Sequence, residues 1–147
     1  MAKPSFIFDE SIPHDILASV KRICRRFLWI VPAWVEVVYV KFEMQPDHSG
    51  QIATTTTTRA YRNSVVRVCP LFVADNEEGR RAHIVHEFLH IPTAPTVDCA
   101  NRIIRDVIKD DSFKKHALDT IAELYEGAVC DLARSIVEFD ERMRGSE

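Results

Sequence analysis

Two histidines four residues apart, His86 and His90, constrain this chain more than any other feature of its sequence. On an α-helix such residues lie one turn apart and only about 40° apart around the axis, so both imidazoles can reach the same ion. Glu87 follows the first histidine and flanks the same position without having to bind the ion. The spacing therefore predicts a helix that carries a metal site, with the Glu87 carboxylate as a base beside it.

The residues around this motif favour a helix that is buried behind the metal site. Residues 76–78 open the helix, with two acidic side chains at the positive end of its dipole. The apolar residues that surround the motif are Ile84, Val85, Phe88, Leu89 and Ile91. Pro92 disfavours helical backbone in the preceding residue, so we expect the helix to end near Ile91. A loop over Pro92–Thr96 would follow.

The alternation of apolar and turn-forming residues divides the rest of the chain into further elements. Helices are expected over about Pro13–Leu28, Val97–Ile108 and Ser112–Arg142. Strands are expected over about Trp34–Phe42, Gln51–Tyr61 and Val65–Cys69, with a turn at Pro46–Gly50. The sequence thus predicts one α+β domain over residues 1–147. It would contain an N-terminal helix, a small three-stranded, mostly antiparallel sheet, the motif helix and C-terminal helices.

A catalytic zinc site normally has three protein ligands, and the residues next to the motif do not supply the third. An extended form of the motif, H-E-x-x-H-x-x-G-x-x-H, supplies a third histidine as a ligand. In this chain Thr93 stands at the position of the glycine and Thr96 at the position of the third histidine. The last helix offers acidic candidates: Asp119, Glu123, Glu126 and Asp131. Glu126 lies at the edge of that helix's apolar stripe, whereas Glu123 points away from the stripe. Glu126 is therefore the preferred third ligand, and Glu123 is the alternative.

Composition argues against several classes of function. The net charge of −3 gives no general attraction to nucleic acid or to anionic membranes, and no apolar run is long enough to span a bilayer. The N-terminus lacks a signal-peptide pattern, so we expect a cytoplasmic protein. The cysteines at positions 24, 69, 99 and 130 form no C-x-x-C pair, and we expect them to be small buried apolar side chains.

The motif at His86–His90, together with a glutamate on a later helix, resembles a minimal gluzincin of the zincin superfamily, of the bacterial or phage-encoded type. The resemblance covers about residues 34–133. It implies a zinc-dependent metallopeptidase whose Zn²⁺ is held by His86, His90 and Glu126, with a protein or peptide as substrate. Glu87 would accept the proton of the attacking water. Residues 64–68 would pair with the extended substrate.

The glutamate helix matches the family less closely than the histidine motif does. The familiar N-E-x-x-x-D form is absent, because Tyr125 precedes Glu126 and Cys130 stands in place of the aspartate. A peptidase also needs a donor to the oxyanion of its tetrahedral intermediate. Tyr61, Tyr125 and His83 are conceivable donors, and the sequence does not choose among them.

Two other hypotheses are open at this stage. The chain could keep the fold and the zinc but act as a regulatory or protein-binding module without turnover. It could also be an interaction protein without a metal, in which the motif is a coincidence. An intact Glu87 favours catalysis, ahead of both alternatives, because a purely structural zinc site has no need of a base. A narrow-specificity endopeptidase is the preferred function, and the oligomeric state is open.

Overall fold

A computed structural model describes residues 3–45 and 50–145 of the chain. Within these residues, four α-helices and four β-strands form an α+β fold. The strands are β1 (Ser5–Phe8), β2 (Val37–Phe42), β3 (Ala53–Thr58) and β4 (Asn63–Val68). The helices are α1 (His14–Arg26), α2 (Pro70–Ala74), α3 (Glu77–Val107) and α4 (Asp111–Arg144).

The strands form one mixed sheet in the order β1-β2-β4-β3. β1 pairs with β2 in parallel, β2 pairs with β4 in parallel, and β3 pairs with β4 antiparallel. The expected three-stranded, mostly antiparallel sheet is therefore wrong in both strand number and pairing. The sequence prediction omits β1, because a strand of four residues is too short for its periodicity to stand out. Pairing depends on packing between distant segments, which a local apolar pattern does not encode.

The β3–β4 hairpin is closer to the sequence prediction than the rest of the sheet. β3 ends at Thr58 because the chain then forms a 3₁₀ turn over Arg59–Tyr61. Arg62 follows with a left-handed backbone, at a φ of 51°, and directs the chain into β4. Of the predicted turn at Pro46–Gly50, residues 46–49 lie outside the described residues. Gly50 has a φ of 87°, a conformation that suits glycine.

One face of the sheet forms the core together with helices. Val38 and Val40 of β2 are fully buried beside Ser64 and Val66 of β4, their partners in the sheet register. Phe88 of α3 stacks on an aromatic ring of β1, and buried residues of α1 join the same cluster. Because α3 packs against this face, its motif residues lie next to β3.

α3 is one continuous helix of 31 residues, although Pro92 and Pro95 lie inside it. The expected end near Ile91, the loop over Pro92–Thr96 and the separate helix from Val97 are therefore wrong. Each proline lacks the N–H that would reach the carbonyl four residues earlier, at a typical cost of about 3 kcal/mol. The hydroxyl of Thr93 donates to the Leu89 carbonyl at 2.7 Å, and α3 packs against α4, with Thr93 itself in contact with Tyr125. Tertiary packing outweighs the local preference of the prolines.

α4 confirms the predicted last helix, with small shifts at both ends. It packs on α3 through Val129, Ala133 and Val137, which are buried and spaced one turn apart. Leu132 and Phe139, which the sequence assigns to the apolar stripe, are 50% and 66% exposed. The buried face is thus rotated relative to the predicted stripe. Among the helices in the described residues, none combines the length and the apolar character that crossing a bilayer requires.

Candidate metal centre

Side chains from α3 and α4 converge at one point between the two helices. The Nε2 atoms of His86 and His90 are 3.0 Å apart, because the two residues lie one turn apart on α3. Glu126 reaches them from α4. Its Oε2 is 3.3 Å from Nε2 of His86, and its Oε1 is 3.4 Å from Nε2 of His90. The structure thus brings together the three side chains that the sequence singles out as ligands.

The separations between these atoms fit a tetrahedral metal site. Zinc binds imidazole nitrogen and carboxylate oxygen at about 2.0–2.2 Å, so two ligands at the tetrahedral angle lie roughly 3.4 Å from each other. The three observed separations, from 3.0 to 3.4 Å, leave space for one ion that all three residues contact. Two imidazoles and one carboxylate also match the donor set of catalytic zinc sites, although other first-row metals accept the same donors.

A directed chain of hydrogen bonds determines which nitrogen of His90 carries a proton. The Thr93 hydroxyl donates to the Leu89 carbonyl, so it can only accept from the Tyr125 hydroxyl, which is 2.6 Å away. The Tyr125 oxygen, 2.7 Å from Nδ1 of His90, must in turn accept the Nδ1 proton. A neutral His90 therefore presents the lone pair of Nε2 toward His86 and Glu126. This is the tautomer that a metal requires.

Burial favours the uncharged form of both histidines. Desolvation lowers the pKa of His86 and of His90 below the ordinary value, while the nearby Glu126 carboxylate opposes this effect. Neutral imidazoles have lone pairs to offer a metal at neutral pH. Nitrogen lone pairs and a carboxylate that face one another repel unless a proton or a cation lies between them. The cluster therefore has the electrostatics of a cation site.

Glu87 lies beside the cluster and is only 5% exposed. Thr55, on β3, donates to Glu87 Oε2 at 2.7 Å and also lies 3.1 Å from the Glu87 carbonyl oxygen. Burial raises the pKa of Glu87 to about 7; the Thr55 hydrogen bond lowers it and the charge of Glu126 raises it further. A carboxyl group that titrates near neutral pH can both accept and release a proton in one reaction cycle.

The other candidates from the sequence have different surroundings. Glu123 is exposed and forms no hydrogen bond or ion pair with any described residue. Tyr61 is 76% exposed on the turn after β3. His83 lies 3.1 Å from the Asp75 carboxylate and lines the same cavity as His86. In the chain of hydrogen bonds at His90, the proton of Tyr125 is committed to Thr93. Tyr125 thus orients a histidine and has no proton left for an oxyanion.

Sequence reasoning did not anticipate the contact between Cys130 and the cluster. The Cys130 Sγ lies 3.7 Å from Nδ1 of His86, which is the ring nitrogen that does not face His90. Cys130 is four residues after Glu126, and this spacing is the signal that could have indicated it. By distance, His86, Glu126 and Cys130 form one group of potential ligands, and His86, Glu87 and His90 form another. The expectation of buried cysteines is correct for Cys24 and Cys69 and wrong for Cys99 and Cys130.

Two cavities flank the cluster and share His86 and Glu87 as lining residues. Their volumes are about 820 and 560 Å³. Both are bordered by β3, whose outer edge is unpaired within the described residues. β4 pairs with β2 on one side and with β3 on the other. The expectation that residues 64–68 pair with a substrate is therefore wrong, because β4 is internal to the sheet and the strand edge beside the cluster belongs to β3.

The candidate site is thus defined by its own geometry: convergent donor atoms, a buried carboxyl group beside them and a cleft that extends to both sides. Searches against protein-family models, curated proteins and solved structures found no match to this chain.

Proposed function

We propose that this protein is a zinc-dependent metallopeptidase in which His86, His90 and Glu126 hold Zn²⁺. The observation that carries the proposal is the convergence of three ligand atoms, 3.0 to 3.4 Å apart, beside the buried carboxyl group of Glu87. This set of residues resembles that of the gluzincins. When bound, the metal would supply Lewis acidity toward a water molecule and a substrate carbonyl.

Glu87 is the general base of the proposed reaction. Thr55 holds its Oε2 through a hydrogen bond, which leaves Oε1 to accept the proton of the attacking water. A pKa of about 7 keeps a substantial fraction of Glu87 ionised at neutral pH, and the protonated form can then donate to the leaving amine. One carboxyl group at this position can therefore serve both proton transfers, from the attacking water and to the leaving amine.

The free edge of β3 supports a peptide as the substrate. An unpaired strand offers backbone N–H and C=O groups that an extended chain can complement, whatever its side chains are. The cleft continues on both sides of the candidate metal centre. A substrate chain can therefore extend past the centre in both directions, which favours cleavage within a chain over removal of a terminal residue.

The proposal includes a cytoplasmic location. All four cysteines are free, and two of them are exposed. Free exposed thiols are typical of a reducing compartment.

The first test is the metal content of protein purified without an affinity tag or added metal. We expect about one zinc per chain in the wild type and a sharp loss in Glu126→Ala. Glu123→Ala is the matched control, because it removes the same group one turn away on α4 and should keep the metal. A wild type that takes up no zinc even when zinc is offered would refute the proposal.

The second test separates catalysis from metal binding. Glu87→Gln should keep the zinc, because Glu87 is not a proposed ligand. Its cleavage of an unfolded protein such as casein should fall by about 10²–10⁴-fold relative to the wild type, the usual contribution of a general base. Zinc binding without any turnover in the wild type would favour the alternative of a zinc-containing binding module.

A further inference from the structure

Three cavities follow β3 from its start to its end, between this strand and α3. The first is lined by residues 50–53, the second by residues 51 and 53–57, and the third by residues 57 and 59. The third has a volume of about 380 Å³. Neighbouring cavities share lining residues on both β3 and α3. They therefore adjoin one another and form a cleft. All three proposed ligands line the second cavity and His86 also lines the first, so the candidate metal centre lies in the middle part of the cleft.

The first cavity carries an excess of negative charge. Its acidic lining residues, apart from Glu87, are Asp75, Glu78, Glu138 and Glu141. Apart from two histidines, Arg134 is the one basic residue among those that line it, and it lies 3.5 Å from Asp131 outside the cavity. Three of the carboxylates lie near basic residues, but Glu78 forms no ion pair with any described residue. This end of the cleft therefore attracts a positive charge.

The third cavity has the opposite charge. Arg59, on the turn after β3, and Arg102, on α3, both line it, with Asp98 as the one acidic residue among those around it. Neither arginine forms an ion pair with a described residue. Two unpaired guanidinium groups beside one carboxylate attract a negative charge, and arginine suits bidentate binding of a carboxylate.

We propose that the cleft selects extended segments that carry acidic and basic residues on opposite sides of the candidate metal centre. The cleavage of the bond between these residues rests on the proposed function, whereas the binding of the segment does not. β3 extends about 17 Å from Ala53 to Thr58, at roughly 3.3 Å per residue, and the cavities continue past both of its ends, so the cleft fits a segment of about eight residues. The charges at its two ends, together with the free edge between them, define the substrate class.

The direction of the bound segment follows from the direction of β3. β3 runs from the acidic first cavity toward the basic third cavity. Antiparallel pairing is the commoner and slightly more stable arrangement, so the segment runs from the third cavity to the first. Its acidic residues therefore lie N-terminal to the metal centre, and its basic residues lie C-terminal to it.

The test measures peptide binding to zinc-loaded Glu87→Gln by fluorescence anisotropy. One labelled octapeptide has two glutamates in its N-terminal half and two lysines in its C-terminal half. The second has the reverse order, and the third has glutamine at all four positions. We expect the first to bind about tenfold more tightly than either of the others at low salt, and the difference to shrink as salt is added.

Single charge reversals at each end of the cleft identify the groups responsible. In the same Glu87→Gln background, Arg102→Glu and Glu78→Lys should each remove most of the preference for the first peptide. Arg25→Glu and Glu10→Lys make the same changes at exposed positions outside the cleft and should leave the preference intact. Circular dichroism of all four variants establishes that each remains folded.

Each remaining outcome decides the proposal. Equal binding of the three peptides, no binding of any, tighter binding of the reversed peptide, or unchanged preference in both cleft variants would overturn it. Charge-dependent binding without cleavage by the wild-type protein would refute the proposed function and leave this inference standing. Zinc-dependent cleavage without any charge preference would do the opposite.

Discussion

At the residue scale, Tyr125 has the most clearly defined task near the candidate metal centre. Its hydroxyl accepts the Nδ1 proton of His90 and donates to Thr93, so it holds the imidazole with Nε2 unprotonated. Removing a hydrogen-bond partner of this kind typically lowers metal affinity by about 10–100-fold. The sequence offers Tyr125 only as one of three conceivable oxyanion donors, because a helix pattern does not reveal which polar groups face each other.

Tyr125→Phe should weaken zinc binding while preserving the packing of the ring. We expect the zinc Kd to rise about 10–100-fold, because His90 loses the group that fixes its tautomer and orientation. Competition with a chromogenic chelator measures the change. Tyr61→Phe removes a hydroxyl from a ring that is 76% exposed and should leave the Kd unchanged. An unchanged Kd in Tyr125→Phe would show that His90 does not depend on this hydrogen bond.

Glu87 should make the metal-free protein less stable as the pH rises. Its pKa is about 7 in the folded protein, against 4.5 for an ordinary glutamate, so the folded state binds more protons than the unfolded state between these values. Stability from this group is thus full below about pH 4.5 and is lost as the pH rises toward 7. Chelator-treated Glu87→Gln should gain on the order of 2–3 kcal/mol relative to wild type between pH 5 and pH 8.

Urea unfolding at the two pH values measures this gain. Glu123→Gln is the control, because it removes the same charge from an exposed position on α4. A difference between wild type and Glu87→Gln that stays the same at pH 5 and pH 8 would contradict the raised pKa.

At the scale of elements, the first turn of α3 depends on an unusually close contact. Asn76 caps the helix by accepting from the Gly79 N–H at 2.8 Å. The Asp75 carboxylate lies against Gly79 and contacts His83, and a Cβ atom at position 79 would overlap that carboxylate. Gly79 is therefore needed for space, although glycine is a poor helix former.

The effect of Gly79→Ala on the free energy of unfolding should change sign when Asp75 is replaced. In the wild type we expect it to lower the free energy of unfolding, because Asp75 must move away from His83. In an Asp75→Ala background it should raise the free energy of unfolding by about 1 kcal/mol, the helix preference of alanine over glycine. Urea unfolding of the four proteins in this double-mutant cycle provides the comparison. Equal effects in both backgrounds would show that Asp75 does not restrict position 79.

Elements whose signals are local could be predicted from the sequence, and their mutual arrangement could not. The spacing of His86 and His90 identifies the motif helix, because neighbours on a helix are set by local geometry. The predicted end of that helix is wrong, because packing on α4 outweighs two prolines. The predicted buried face of α4 is wrong as well, since Leu132 and Phe139 are exposed despite being apolar.

Glu126 shows how a sound choice can rest on an imperfect pattern. It lies roughly 20° around the helix axis from the buried Ala133, so it is close to the centre of the face that meets α3. The sequence places it only at the edge of the apolar stripe, because the predicted stripe includes apolar residues that are exposed in the structure, such as Leu132 and Phe139. Thr55 and the parallel strand β1 could not be found at all, because their contacts join segments that are distant in the chain.

At the scale of the whole molecule, the candidate metal centre connects two long helices. α3 supplies His86 and His90, and α4 supplies Glu126 from a helix with a narrow buried stripe. A bound ion would therefore tie α4 to the rest of the fold. Ligand binding stabilises a folded protein in proportion to the logarithm of ligand concentration over Kd.

Zinc should raise the melting temperature of the wild type and slow amide hydrogen exchange in α4. At a free zinc concentration 100 times the Kd, the expected gain is about 2.7 kcal/mol. Glu126→Ala should lose both effects, whereas Glu123→Ala should keep them. Thermal unfolding with zinc and with chelator gives the first quantity, and exchange detected by mass spectrometry gives the second. The same gain in Glu126→Ala would contradict a link between the helices through this residue.

The unpaired edge of β3 also bears on how molecules of this protein meet one another. An open edge of consecutive threonines, Thr54–Thr58, has neither the charges nor the proline that usually discourage two sheets from joining. Here residues of α3 and α4 line the cavities along that edge. A single extended chain can enter this cleft. The edge of a second intact sheet cannot enter it, because that sheet carries helices on its face. The walls of the cleft therefore protect the protein from aggregation through the strand that it leaves open.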